Sequence, residues 1–193
     1  VHILKCLPQQ EQVYIFTIQK KKLILLLVKF HKSEDGWDME TKELYREILN
    51  EHNLNPTHKK EMSDADFSLN GVNPSCGDNI TLNLKINSEG IITDGSFTGS
   101  GCAVSQASCD MMLDLIIGKS KEEAEKLNDV FMSMIKGEAS EEAIEELDEA
   151  AALQDIAHMP ARVKCAVLGW RTMKEMFSTN SSCSSCGNPN CCK

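Results

Sequence analysis

Hydrophobic and polar positions change period along this chain, and each change predicts an element. From Thr41 onward, Leu44, Tyr45, Ile48, Leu49 and His52 recur at helical spacing, which predicts one amphipathic helix ending before Asn55-Pro56. A loop follows. Ile80, Leu82, Leu84 and Ile86 then alternate with Thr81, Asn83 and Lys85, the period-two pattern of a half-buried strand. Asn87-Ser88-Glu89-Gly90 supplies a turn before Ile91 and Ile92, so a hairpin is expected, with Asp94 to Thr98 as its continuation or a third strand. Past Gly99-Ser100-Gly101-Cys102 the period becomes helical: Val104, Ala107, Met111 and Leu115 share a face, and Gly118 ends it. Ser120 with Glu123 forms a capping box for the next helix, which stops at Gly137. Residues 138–152 are acidic and alanine-rich and read as a helix or a pair of turns. Pro160 opens a last helix carrying Val163, Val167, Trp170 and Met173, to about Phe177. The order helix, strands, helices predicts an α+β fold, a small antiparallel sheet of about three strands covered by helices.

The pattern also divides the chain. Residues 1–38 are read as an N-terminal extension whose structure the sequence does not define: a Gln- and Lys-rich stretch, a short apolar run, and a polar Ser33-Glu34-Asp35-Gly36 break. That run, Leu23 to Val28, is far below the roughly 20 residues that span a bilayer, and no small-residue cleavage pattern follows it. Residues 39–178 are read as the folded domain and 179–193 as a Cys-rich flexible tail. The tail's Cys183, Cys186, Cys191 and Cys192 follow a Ser/Asn-rich linker with little apolar content, which favours a disordered thiol-bearing segment over an accessory metal site.

Charge narrows the partners. A net charge of -9 repels phosphate backbones and anionic lipid, so neither nucleic acid nor a membrane is expected as a partner. The nine cysteines are odd in number and widely spaced, a poor disulfide framework. Reduced thiols in a cytoplasmic protein, the compartment expected here, are read as metal ligands or reactive groups.

Three cysteines stand in settings that favour chemistry. Asn73-Pro74-Ser75-Cys76-Gly77-Asp78 ends a loop directly before a strand, and its glycine permits a turn that aims a thiolate and a carboxylate at one point. Cys102 opens a helix, where exposed amides favour the thiolate. Cys165 lies beside Arg162 and Lys164, whose positive charges favour the same form. With Asp78 these three would complete a tetrahedral site of three sulfurs and one oxygen. Spacing does not show that they meet, and each cysteine taken singly is as readily inert core. Cys109, about 10 Å along the helix from Cys102, is assigned to the core. His158, which could replace a ligand, is assigned a solvated or capping place.

Leu44-Tyr45-Arg46-Glu47-Ile48-Leu49, His52, Asn55-Pro56, Asn73-Pro74-Ser75-Cys76-Gly77-Asp78, Gly99-Ser100-Gly101-Cys102-Ala103, Gly118-Lys119-Ser120 and Arg162-Val163-Lys164-Cys165-Ala166-Val167-Leu168 together resemble the SufU/IscU family of iron–sulfur cluster assembly proteins over about residues 40–177. Lys164 stands where IscU-like chains carry a histidine, and residues 135–153 form an insertion that they lack. Both features resemble the SufU branch. In that branch the resemblance implies zinc held by Cys76, Asp78, Cys102 and Cys165. It also implies a persulfide sulfur taken up by Cys76 from a SufS-type cysteine desulfurase, for downstream assembly or acceptor proteins. The alternatives are a scaffold for a [2Fe-2S] cluster on the same ligands, and a structural zinc domain used for docking.

Overall fold

The computed structural model describes residues 39–181. The readings on residues 1–38 and on the tail cysteines lie outside them. The chain divides into two units, Val1–Leu44 and Tyr45–Lys193. Of the first, only the opening of helix α1 (Met39–Leu54) is described.

The second unit continues with strands β1 (Phe67–Asn73), β2 (Asp78–Ile86) and β3 (Ile92–Ser100), then helices α2 (Ala103–Ile116), α3 (Lys121–Lys136) and the short α4 (Glu141–Glu145). A 3-10 segment, Asp148–His158, leads into α5 (Pro160–Ala166) and α6 (Leu168–Ser181). The strands form one antiparallel sheet in the order β1-β2-β3. The expected fold class and the period-two strand are therefore present. Ile80, Leu82 and Leu84 of β2 are buried with Phe97 of β3, and they form one core with Met111, Met112 and Leu113 of α2 and Trp170 and Met173 of α6.

Helix ends follow the punctuation in the sequence. Ser120 and Glu123 form the reciprocal capping box, and Gly137 closes α3 at φ +75°, a left-handed conformation that glycine adopts without strain.

Two elements differ from the sequence reading. The stretch read as loop contains β1, whose Phe67–Asn73 residues pair along β2 from Leu84 to Asp78. The last helix is two helices. It breaks at Val167, where the Ala166 carbonyl accepts a hydrogen bond from Ser108 Oγ at 2.6 Å, and α6 then runs on to Ser181. Trp170 Nε1 donates to the same hydroxyl at 3.2 Å, while the Trp170 ring stacks on Phe131 at 4.3 Å between centroids. This junction fixes the C-terminal end of α5 against α2 and α3, and Cys165 sits at that end.

Candidate metal centre

Three separate elements carry the three cysteines and the aspartate. Asn73 and Asp78 pair across the end of the β1–β2 hairpin, leaving residues 74–77 as its loop. Gly77 has φ +72°, so the chain can turn back sharply into β2. The turn leaves Cys76 exposed and Asp78 fully buried. Cys102 is the N-cap residue of α2 and is half-buried; Cys165, in the last turn of α5, is buried.

The Sγ atoms of Cys76 and Cys165 and a carboxylate oxygen of Asp78 lie within 4.8 Å of one another. Cys102 adjoins this trio rather than belonging to it: its thiol is a hydrogen-bond partner of both Asp78 and Cys165. Its backbone amide donates to Asp78 Oδ1 at 2.7 Å. The carboxylate thereby ties the start of α2 to the start of β2.

The electrostatics of the centre are those of acids facing acids. Burial is the largest influence on Asp78 and works against its charge, but the Cys102 amide, the Asn73 side chain and the Cys165 and Cys102 thiols together outweigh it. The carboxyl is held below its usual range. Burial also acts most strongly on Cys165, and its hydrogen bonds to Cys76, Asp78 and Cys102 add to the effect, so this thiol is pushed far up. A divalent cation among these groups would reverse that balance, because a coordinated thiol is deprotonated outright. Thiolates with one carboxylate suit zinc, and thiolates also hold iron–sulfur clusters. The donor set fits either.

The remaining candidates separate clearly. Cys109 is fully buried, and burial above all pushes its thiol up to about 12, the behaviour of a core residue. His158 is exposed at the end of the 3-10 segment. Arg162 is exposed, and Lys164 Nζ donates to Ser75 Oγ at 3.3 Å, so the lysine beside Cys165 reaches the Cys76 loop. Asn73 received no role from the sequence. It is buried, and it donates through Nδ2 to Asp78 Oδ2 at 2.8 Å and to Cys165 Sγ at 3.3 Å. The available signal was its place at a strand end, directly opposite Asp78 once β1 is recognised.

A second group, His52, Asp114 and Glu149, also has potential ligand atoms within 4.8 Å of one another. Its hydrogen bonding is of a different kind. His52 Nδ1 meets Asp110 Oδ2 at 2.7 Å and Nε2 meets Glu149 Oε2 at 2.8 Å, so both ring nitrogens face carboxylates. Among the described residues, no helix is long and apolar enough to cross a membrane.

Known proteins share this arrangement of elements. The iron–sulfur cluster assembly scaffold protein IscU of Streptococcus pyogenes serotype M1 is 40% identical over 140 residues, which span 72% of this chain and 86% of that protein. The zinc-dependent sulfurtransferase SufU of Bacillus subtilis strain 168 is 36% identical over 132 residues, covering 68% and 88% respectively. The crystal structure of a SUF-system protein from the thermophile Fervidobacterium islandicum AW-1 superposes with a TM-score of 0.63 at 32% identity, over 68% of this chain and 94% of that one. Residues 44–166 match the NifU-like N-terminal domain. The chain therefore belongs to the NifU-like N-terminal domain family, the iron–sulfur cluster assembly family of IscU and SufU.

Proposed function

We propose that this chain is a zinc-dependent sulfur acceptor of the SufU kind, taking persulfide sulfur from a SufS-type cysteine desulfurase and passing it to downstream iron–sulfur assembly proteins. One observation carries the reading: an exposed thiol, Cys76, on a glycine-containing loop lies within 4.8 Å of the buried Asp78 and Cys165 donors. Such a site can release one ligand and keep the others. Lys164, where IscU-like chains have histidine, and the 135–153 insertion support the SufU branch.

In this reading Cys76, Asp78, Cys102 and Cys165 hold the metal. Bound zinc would keep the thiols deprotonated at neutral pH and shield them from unwanted oxidation. Cys76 is the nucleophile. Its thiolate attacks the outer sulfur of the desulfurase's cysteine persulfide, and the donor S–S bond breaks. The donor cysteine leaves as a thiolate and a persulfide forms on Cys76, with no net oxidation or reduction. Asp78 is fixed by the Cys102 amide and Asn73, and Cys165 by α5, so these donors stay in place when Cys76 moves to the partner.

The test pairs metal analysis of anaerobically purified protein with desulfurase turnover and persulfide labelling. Stoichiometric zinc, stimulated turnover and label on Cys76 are expected, and Cys76→Ala should abolish acceptance. Normal persulfide formation by that variant with its zinc intact would refute the assignment. The scaffold reading is favoured by the 40% identity to the Streptococcus pyogenes IscU, and iron with labile sulfide in the purified protein would establish it. Zinc without stimulated turnover would leave a structural docking role.

A further inference from the structure

We infer that Asn73 is a positioning residue of the metal centre, setting the Asp78 carboxylate, the Cys165 sulfur and the Cys76 loop from a single carboxamide. The inference rests on the ligand assignment proposed above and extends it by one residue. Asn73 is 5% exposed, and its whole polar end is engaged. Nδ2 donates to Asp78 Oδ2 and to Cys165 Sγ, and Oδ1 accepts from the Ser75 amide at 3.3 Å. The backbone carbonyl accepts from the Cys76 amide, also at 3.3 Å.

The orientation of the carboxamide is fixed by its neighbours. Rotating it by half a turn would set its oxygen against the Asp78 carboxylate and its NH2 group against the Ser75 amide, two repulsive contacts in place of two bonds. The NH2 group therefore lies between a carboxylate and a sulfur. Asp78 Oδ1 is held independently by the Cys102 amide. The two bonds together fix the plane of the carboxylate and leave a lone pair on each oxygen for a cation.

The position follows from strand register. Asn73 lies opposite Asp78 in the last pair of the β1–β2 ladder, and its carboxamide can reach the partner carboxylate while its backbone starts the Cys76 turn. A neutral donor of this length at this place connects the loop ligand to the anchored ones. Outer-shell partners of this kind typically contribute about 10–100-fold in metal affinity.

The experiment compares the full chain with Asn73→Asp and Asn73→Leu. Zinc affinity is read by competition with a chromophoric chelator, and ligand arrangement by the absorption of the cobalt-loaded proteins. Asn73→Asp keeps the shape but puts a second carboxylate where the donor was, and Asn73→Leu removes donor and acceptor together. Zinc affinity should fall about 10–100-fold in Asn73→Leu, the variant that adds no charge. The cobalt ligand-field bands should shift while the thiolate-to-cobalt absorption stays, a signature that loss of fold stability alone does not produce. Affinities within twofold of the parent and unchanged cobalt spectra would overturn the role of Asn73 while leaving the metal site standing. A parent chain that binds neither metal would end both. Should the variants not fold, the parent decides: the Asn73 side-chain amide signals should move in its NMR spectrum when zinc is added, and signals indifferent to zinc would overturn the inference.

Discussion

Among the described residues, two clusters of ionisable side chains bring possible ligand atoms together, and they differ in where their protons can go. Around His52, every acid faces a donor. Asp110 accepts from His52, from the Thr57 amide at 3.2 Å and from the His58 amide at 2.8 Å, while Asp114 Oδ1 meets His58 Nε2 at 2.9 Å. Around Asp78, the acids face one another: besides two amides, one from Cys102 and one from Asn73, its partners are the Cys165 and Cys102 thiols. The first cluster is closed by the imidazolium of His52. The second collects soft, acidic donors around an exposed thiol. The two clusters share the spacing of possible ligand atoms and differ in what lies there: a histidine between carboxylates in one, thiols beside a carboxylate in the other.

The sharpest way to break this contrast is to remove the imidazolium. His52→Ala removes the imidazole that Asp110 and Glu149 both face, and breaking a buried charge pair from one side typically costs about 3–5 kcal/mol. Denaturant unfolding should show that loss at pH 7, with the metal content unchanged. A loss below 1 kcal/mol would mean that the cluster is not a buried ion network.

The same cluster predicts a pH dependence. Burial opposes the charge on His52, but hydrogen bonds to Asp110 and Glu149 outweigh it, and its pKa rises from 6.5 to about 9. A raised pKa contributes stability that is fully present below the unfolded value and lost as pH climbs through the folded one. Stability should therefore decline between about pH 6.5 and pH 9, by on the order of 3 kcal/mol. His52→Gln should flatten the profile across that window.

The thiol cluster is sharpened by metal removal. If zinc is the resident ion, 100-fold excess over its Kd stabilises the fold by about 2.7 kcal/mol, and a chelator should remove that increment. Cys165→Ser should start from the lowered value and respond little to chelation. The smallest effect belongs to Cys109. Cys109→Ala should cost about 1 kcal/mol for the lost buried sulfur and leave metal stoichiometry intact. A fall in bound metal would move Cys109 from the core to the site.

What the sequence disclosed follows the same physical lines. Period and punctuation were sufficient for β2 and for α3 with its capping box and left-handed Gly137, while the burial of Cys109 followed from its distance along the helix from Cys102. Strand β1 escaped because its pattern runs backwards near the site. Gly71 and Asn73 face inward and are buried, while Val72 faces out at 58% exposure. The glycine is required because α6 comes close: a Cβ there would lie 2.2 Å from Thr172 Oγ1. The asparagine serves the carboxylate. The break at Val167 was equally hidden, because a tertiary hydrogen bond from Ser108 marks it rather than a proline at the junction. The separation of Asp78 and Cys165 in the chain gave no sign of their contact; the family motifs did.

The bond from the Cys102 amide to Asp78 has a bearing on ancestry and drift. Because the carboxylate also anchors the threshold of a helix, a stable fold would call for this position even in a lineage with no use for its chemistry. A descendant released from that chemistry would be expected to exchange the aspartate for asparagine, which keeps an oxygen for the amide, more readily than for alanine or leucine. Such a substitution in a relative would record lost function in a well-folded molecule.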